Sequence, residues 1–342
     1  MRTGCLRCMR SLSAAMRQTD ILQFAAQSAH VENTRKKLHV YDLFCGAGGF
    51  SEGARQAGCV VDFACDNDPC ALEIHRKNHP ECKHMCCTLP CEDIPFPVDG
   101  RLFHVHGSPP CQAVSSSGLK DSVQIRNSTS MIEWFVNTAL SCGALTWSME
   151  QVASKDVIAC LQRMKEVNRG MIEFHVFNFY ELGVPQIRKR VLAGSPEIIR
   201  KLMRQRGSTP RVCIRDVVPD PPGTHIRTTL SHTSVRRRLA HEPRTMRNAT
   251  NVYTKASWKL SWYPLNGPAP TVIAGRNSGW WIRSTPQGGS VRSTLKSADV
   301  AALQTFPQTY KFPQTQGPAF RLIGNAVPPQ VAKLLMQCAC DL

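Results

Sequence analysis

From Leu38 onward, short apolar runs alternate with stretches of helical spacing. His39–Phe44 reads as a strand ending in a glycine turn, and Phe50–Ala57 continues at the spacing of a helix. Val60–Cys65 is the next strand, closed by Asp66. Leu102–His106, Ala144–Met149, Ile172–Phe179 and Arg190–Ala193 repeat the strand signature, with helical stretches such as Met131–Leu140 and Lys155–Val167 between them. Strands spaced by helices of this length predict an α/β fold built on a doubly wound, mainly parallel sheet. Ligands of such sheets sit beyond the carboxyl ends of the strands. Those ends are where the unusual residues of this chain gather.

The rhythm breaks near Arg200. The stretch to about Pro264 is rich in Arg, Pro, Thr and Ser and has weak periodicity, which predicts a smaller, loop-rich inserted domain. The expected organisation is a basic extension at 1–37, a main domain at 38–199, the basic insert at 200–264, the remainder of the small domain with a return segment at 265–319 and a closing segment at 320–342. Within the last, Pro328–Cys340 is apolar and helix-like after the Gly324-Asn325 turn.

Charge sharpens the picture. The net charge is +17, and between Arg200 and Trp262 fourteen Lys/Arg face three acids, Asp216, Asp220 and Glu242. Such an excess suits a polyanion, either nucleic acid or a membrane surface. No run approaches the roughly 18 apolar residues of a membrane span, and no secretory signal is present, so an intracellular protein is expected. Arg2, Arg7, Arg10 and Arg17 precede the first acid, Asp20. That pattern fits a basic arm or an organelle-targeting segment, and leaves nucleus, cytoplasm and organelle open. Sixteen cysteines in a chain without an export signal predict reduced thiols. Cys82, Cys86, Cys87 and Cys91, with His84 among them, lack paired CxxC spacing, so no metal is expected.

Four constellations carry chemistry. Asp42-Leu43-Phe44-Cys45-Gly46-Ala47-Gly48-Gly49-Phe50 lies at a strand-to-helix transition, where glycines let backbone N–H groups approach a ligand. Asp66 ends the next strand, placed to accept hydrogen bonds from ribose hydroxyls. In Gly107-Ser108-Pro109-Pro110-Cys111-Gln112 two prolines stiffen the chain before a strand-end thiol, a candidate nucleophile. Glu150 follows the apolar Leu145–Met149, and a carboxyl in that position can serve as a proton donor near neutrality. In Pro185-Gln186-Ile187-Arg188-Lys189-Arg190 the two arginines are two apart, so an extended chain points both to one face. A tight turn, a packed thiol, a solvated acid and a basic strand edge are the corresponding readings without function.

Taken together and in this order, Asp42–Phe50, Asp66, Gly107–Gly118, Glu150–Val152, Gln186–Arg190, Pro270–Val272 and Arg321–Pro329 resemble the cytosine-5 DNA methyltransferase family. Pro-Pro-Cys-Gln at 109–112 and Gly-Asn-Ala-Val-Pro-Pro at 324–329 are the most specific segments. The resemblance implies a class I S-adenosylmethionine-dependent methyltransferase fold and methyl transfer from S-adenosylmethionine to carbon 5 of a flipped-out cytosine. It implies Cys111 as the nucleophile, Glu150 as the acid on ring nitrogen 3, and Arg190 with Arg188 nearby as contacts to the cytosine carbonyl. It also implies a donor site formed by Phe44, Gly46, Gly48, Gly49, Phe50, Asp66, Asn67, Asn325 and Ala326. The 200–264 insert takes the place of the family's target-recognition domain, acting on double-stranded DNA as a monomer in a modification or viral setting. The chain departs from the family pattern at Gln151, where Asn is usual, and at Val114, where an aromatic is usual. It departs again at Cys86 and Cys87, where an acid is expected after the third strand, and at Cys142-Gly143, where a basic residue and proline are usual. A tRNA methyltransferase and a catalytically silent DNA-binding homologue are the alternatives.

Overall fold

Alternation within the strands decides how the main sheet is covered. The computed structural model describes residues 37–110, 122–218, 225–228, 261–274, 280–284 and 290–342. Seven strands are β1 (His39–Leu43), β2 (Val60–Asp66), β3 (Lys83–Cys86), β4 (Phe103–Gly107), β5 (Thr146–Val152), β6 (Glu173–Asn178) and β7 (Lys189–Gly194). They lie in the order β3-β2-β1-β4-β5-β7-β6. All neighbours are parallel except β7, which runs against both β5 and β6. This is the doubly wound, mainly parallel sheet that the strand–helix rhythm predicts.

Helices cover both faces: α1 (Gly49–Gln56), α2 (Pro69–Asn78), α3 (Ser122–Ser141), α4 (Lys155–Val167) and α5 (Pro196–Gln205). Further on come α6 (Ile214–Val217), α7 (Ser297–Leu303), α8 (Gln316–Asn325) and α9 (Pro329–Cys340). Tyr41, Leu43, Val105 and Met149 pack with Phe135 of α3 and Leu161 of α4. The alternate position Val40 packs with Phe50 of α1, Leu202 of α5 and Leu335 of α9. The period of two explains both clusters. It also places a buried polar stripe on the α1 side. There His104 bonds Thr146 and Ser148, His106 bonds Ser148, and Asp42 accepts from Ser51.

Two regions differ from the sequence expectation. The segment after Asp66 carries α2 and β3, which its many Cys and His residues mask as apolar periodicity. A start signal was nonetheless present, since Asp68 caps α2 by accepting from the Cys70 N–H at 3.0 Å and Pro69 follows it. Beyond α5, a second sheet replaces the expected loops. Its strands β8 (His225–Thr228), β9 (Ser261–Pro264), β10 (Trp280–Ser284) and β11 (Ser290–Thr294) are antiparallel, in the order β11-β10-β8-β9. Their sequences, His-Ile-Arg-Thr, Ser-Trp-Tyr-Pro, Trp-Trp-Ile-Arg-Ser and Ser-Val-Arg-Ser-Thr, hold few apolar residues to stand out from the surrounding Arg, Thr and Ser. The sheet runs on past residue 264, to Thr294. The expected start at 200 falls inside α5, whose Ile198, Ile199 and Leu202 belong to the main core. Residues 219–224 and 229–260 of the insert, and the 1–36 extension, lie outside the described residues. No described helix is long and apolar enough to cross a membrane.

Candidate active site

Chain order reverses between β1 and β4, and the turns that leave their carboxyl ends line a cleft of about 480 Å³. This is the switch point at which open α/β sheets bind ligands. One wall is the turn after β1. Phe44 adopts φ 59°, a left-handed conformation that costs a non-glycine residue of order 1–3 kcal/mol. Its carbonyl accepts from the Ser108 hydroxyl at 3.0 Å, and the next N–H, of Cys45, donates to the Cys65 carbonyl at 3.0 Å. Gly46 donates its N–H to Asp66 Oδ2 at 2.8 Å, and Asp66 Oδ1 accepts from the Asp68 N–H at 2.9 Å. Burial raises the Asp66 carboxyl above its ordinary value despite those bonds.

Below the turn, Asp42 is fully buried, and desolvation raises its pKa to about 7. Its Oδ2 accepts from Ser51 at 2.7 Å, while Oδ1 has no hydrogen-bond partner among the described residues although the side chain lines the cleft. Phe44, Gly46, Phe50, Asp66, Asn67, Asn325 and Ala326 all line the cleft. Gly48 and Gly49 do not. Gly48 stands at φ 92°, where a Cβ would meet the Tyr310 hydroxyl at 2.6 Å. A Cβ on Gly49 would meet the Val327 carbonyl oxygen at 2.2 Å. These two glycines let α1 seat closely against its neighbours. Phe50 is spoken for as well, stacked on His106 with centroids 3.5 Å apart.

The opposite wall comes from β5 and the chain entering β7. Glu150 lies within β5, two residues before its end, and is 8% exposed. Arg190 brings Nε to 3.1 Å from Glu150 Oε1, an ion pair whose N–H is not aligned as a hydrogen bond. Next to it, Gln151 donates to the Pro109 carbonyl at 3.0 Å and so pins the loop that leads towards residue 111. Gln151 is a departure from the family pattern, yet the longer amide reaches this loop.

Arg188 and Arg190 serve different ends. Arg188 is 2% exposed and donates to the carbonyls of Val272, Gly324 and Ala326 at 3.1, 3.2 and 3.4 Å. Its guanidinium braces two distant backbone segments, at 272 and at 324–326, whereas the two-residue spacing predicts both arginines facing one ligand. Gln186 completes the brace. It accepts from the Val272 N–H at 3.0 Å and donates to the Leu303 carbonyl and the Gln304 side chain. Gln304 in turn donates to the Ile323 and Ala326 carbonyls. The signal was the alternation of Gln186, Arg188 and Arg190, all on one face of an extended chain. Which of the three would be buried depends on 272, 304 and 324–326, remote in sequence. Cys111 lies outside the described residues, one peptide bond after Pro110, which lines the cleft.

A family model described as C-5 cytosine-specific DNA methylase matches residues 38–140 and 145–338. The chain belongs to that family. Among curated relatives, type II methyltransferase M.XorII of Xanthomonas oryzae pv. oryzae is 24% identical over 351 residues, covering 85% of this chain and 82% of the relative. Type II methyltransferase M.HgiDI of Herpetosiphon aurantiacus is 26% identical over 318 residues, covering 87% and 93%. Among solved structures, a prophage-encoded E. coli protein named as a DNA modification methyltransferase superposes with TM-score 0.59 at 20% identity, covering 90% of this chain and 99% of that one. At these identities the structural likeness speaks for the fold alone, the class I methyltransferase fold. Membership of the methylase family makes S-adenosylmethionine the methyl donor.

Proposed function

We propose that the chain methylates carbon 5 of a cytosine flipped out of duplex DNA, with Cys111 as nucleophile, Glu150 as acid and Arg190 as the contact to the base carbonyl. The carrying observation is the Glu150–Arg190 pair, 3.1 Å apart, in one cleft with Pro110 and with Asp42 and Asp66. The donor fits this cleft. Buried Asp42 offers an unpartnered carboxylate oxygen, Gly46 has nothing within 4 Å of where a side chain would start, and Phe44 presents a half-buried ring. Asp42 and Asp66 suit a cationic, hydroxyl-rich ligand, and Phe44, Asn67, Asn325 and Ala326 would enclose it. S-adenosylmethionine supplies, when bound, an electrophilic methyl group on a sulfonium.

The remaining chemistry belongs to this chain. Carbon 5 of cytosine is a poor nucleophile, and thiolate addition at carbon 6 makes it an enamine carbon. A free thiol is only about 3% ionised at neutral pH, so either the site lowers that pKa or Cys111 loses its proton on attack; after methylation a base removes the proton from carbon 5 and the thiolate is expelled. Glu150 holds a proton at ring nitrogen 3, which keeps the pyrimidine from accumulating negative charge as sulfur adds. Arg190, already beside Glu150, orients that carboxyl and donates to the carbonyl at ring carbon 2. Arg188 acts one layer below, holding the chain that carries Arg190. Gln151 fixes the Pro109 carbonyl and with it the approach to Cys111. Flipping the base costs a few kcal/mol. Phosphate contacts from the Arg-rich 200–264 stretch offset that cost and make binding salt-dependent.

Tritiated methyl transfer from S-adenosylmethionine to duplex DNA and to tRNA, with Cys111→Ala as control, tests this reading. Incorporation into DNA that the variant loses is expected. Label entering only tRNA points to an RNA substrate, and label entering neither points to a silent DNA-binding protein; both overturn the proposal. Bisulfite sequencing of DNA from expressing cells then reads the target site.

A further inference from the structure

Outside the cleft, folding assembles a cluster that the linear spacing hides. α2 carries His75 against β3 and the turn before it, so that one ligand atom from each of His75, Cys82 and His84 lies within 4.8 Å of the others. His75 Nδ1 and His84 Nε2 face each other at 2.8 Å. His75 and Cys82 are buried and His84 is half-buried, which leaves an approach from solvent on the His84 side. The cysteines that look like a metal cluster along the chain, Cys86, Cys87 and Cys91, are not part of this group. His75, missing from that linear cluster, is its centre.

Hydrogen bonding orients the central histidine. Ser51 donates its hydroxyl proton to Asp42 Oδ2 at 2.7 Å, so its oxygen accepts at 3.0 Å from His75 Nε2–H. That fixes the tautomer with the Nδ1 lone pair turned towards His84 and Cys82. A carboxylate acting on the far nitrogen of a ligating imidazole, here through a hydroxyl, is the arrangement that orients histidine for a metal.

We propose that His75, Cys82 and His84 bind one divalent ion of borderline softness, of the zinc class, through Nδ1, Sγ and Nε2, with water in the remaining position. Two imidazole nitrogens on a tetrahedral zinc stand about 3.3 Å apart, and sulfur stands about 3.6 Å from each. The histidines therefore open by about half an ångström. Cys82 binds as thiolate and its proton passes to buffer, while His84 moves its proton from Nε2 to Nδ1 with no change of charge. The ion would tie α2 and β3 to α1 through Ser51, behind the Phe44–Ala47 turn. The proposal concerns a site apart from the methyl-transfer chemistry and does not depend on it.

The test is titration of the purified, chelator-treated full chain with cobalt(II), followed by zinc(II) in competition with a chromophoric chelator. One equivalent is expected, with the visible bands of tetrahedral cobalt and a near-ultraviolet thiolate-to-cobalt band. Cys82→Ser should abolish the thiolate band, and Cys82→Ser and His84→Gln should each weaken binding about tenfold or more. A Cys87→Ser/Cys91→Ser double variant should keep both the band and the affinity. His84 is half-buried, so His84→Gln serves if Cys82→Ser fails to fold, as judged by circular dichroism. Absence of stoichiometric binding by folded protein overturns the proposal. So do unchanged affinity in His84→Gln and loss of the band in the Cys87/Cys91 double variant.

Discussion

The two walls of the cleft are built on different principles. The donor-side wall, Phe44 to Ala47 with Asp66, is short-range: one turn, one strand end and two carboxylates, joined by bonds such as Gly46 N–H to Asp66 at 2.8 Å. The base-side wall is long-range. Arg190 meets Glu150 of β5 from a chain that Gln186, Arg188 and Gln304 tie to distant segments, the last two donating to carbonyls at 272, 323, 324 and 326. A local wall can be read from a contiguous motif, and its residues can be changed one at a time. A wall held by a buried network should fail as a unit when any brace is removed.

The largest effect should come from the base side. Glu150→Gln keeps the shape and removes the transferable proton, so methyl transfer in single turnover should slow by roughly 10²–10⁴-fold. Donor binding, followed by equilibrium titration, should stay within a few-fold. A comparable loss of donor binding would erase the division between the walls.

Arg188→Leu should act on stability. Removing a buried guanidinium takes a donor from the Val272 and Gly324 carbonyls and leaves Ala326 with Gln304, a loss of about 3–5 kcal/mol in urea unfolding. Arg190→Leu, on a side chain that reaches Glu150 and no carbonyl of the brace, should cost well under half as much. Equal losses would show that the two arginines share one role.

On the donor side, Asp42 gives a pH signature. Its folded-state pKa is raised to about 7 from an ordinary 3.8, so its contribution to stability is fully present below the lower value and lost as pH rises through the upper. Between pH 5 and 8 the wild-type chain should lose of order 2–3 kcal/mol relative to Asp42→Asn, which has no charge to bury. Parallel unfolding curves for the two proteins across that range would remove Asp42 from the account. The smallest effect is expected for Asp66→Ala, which should weaken donor binding roughly 10–100-fold, or about 1.5–3 kcal/mol, with the rate from the bound state little changed.

The same division explains what was legible beforehand. Phe44–Phe50 stood out because a strand, a glycine turn and a helix start follow one another without interruption. Even there, the structure gives Gly48 and Gly49 to packing against Tyr310 and Val327, contacts from residues more than 250 positions away. Periodicity passed over α2 and β3 because Cys and His carry no clear polarity in such a pattern, although the family resemblance put the end of a third strand at Cys86 and Cys87. The second sheet was hidden because its strands hold few apolar residues and lie in a stretch rich in Arg, Thr and Ser.

By itself the sequence determined the strand–helix alternation, the switch-point motifs and the basic character of the insert, because each depends on residues close together along the chain. Only the tertiary structure decided that Arg188 is a brace while Arg190 meets Glu150, and that His75 joins Cys82 and His84. Those outcomes depend on which backbone carbonyls and side chains arrive from distant segments. A buried guanidinium or imidazole takes its role from the partners that satisfy it.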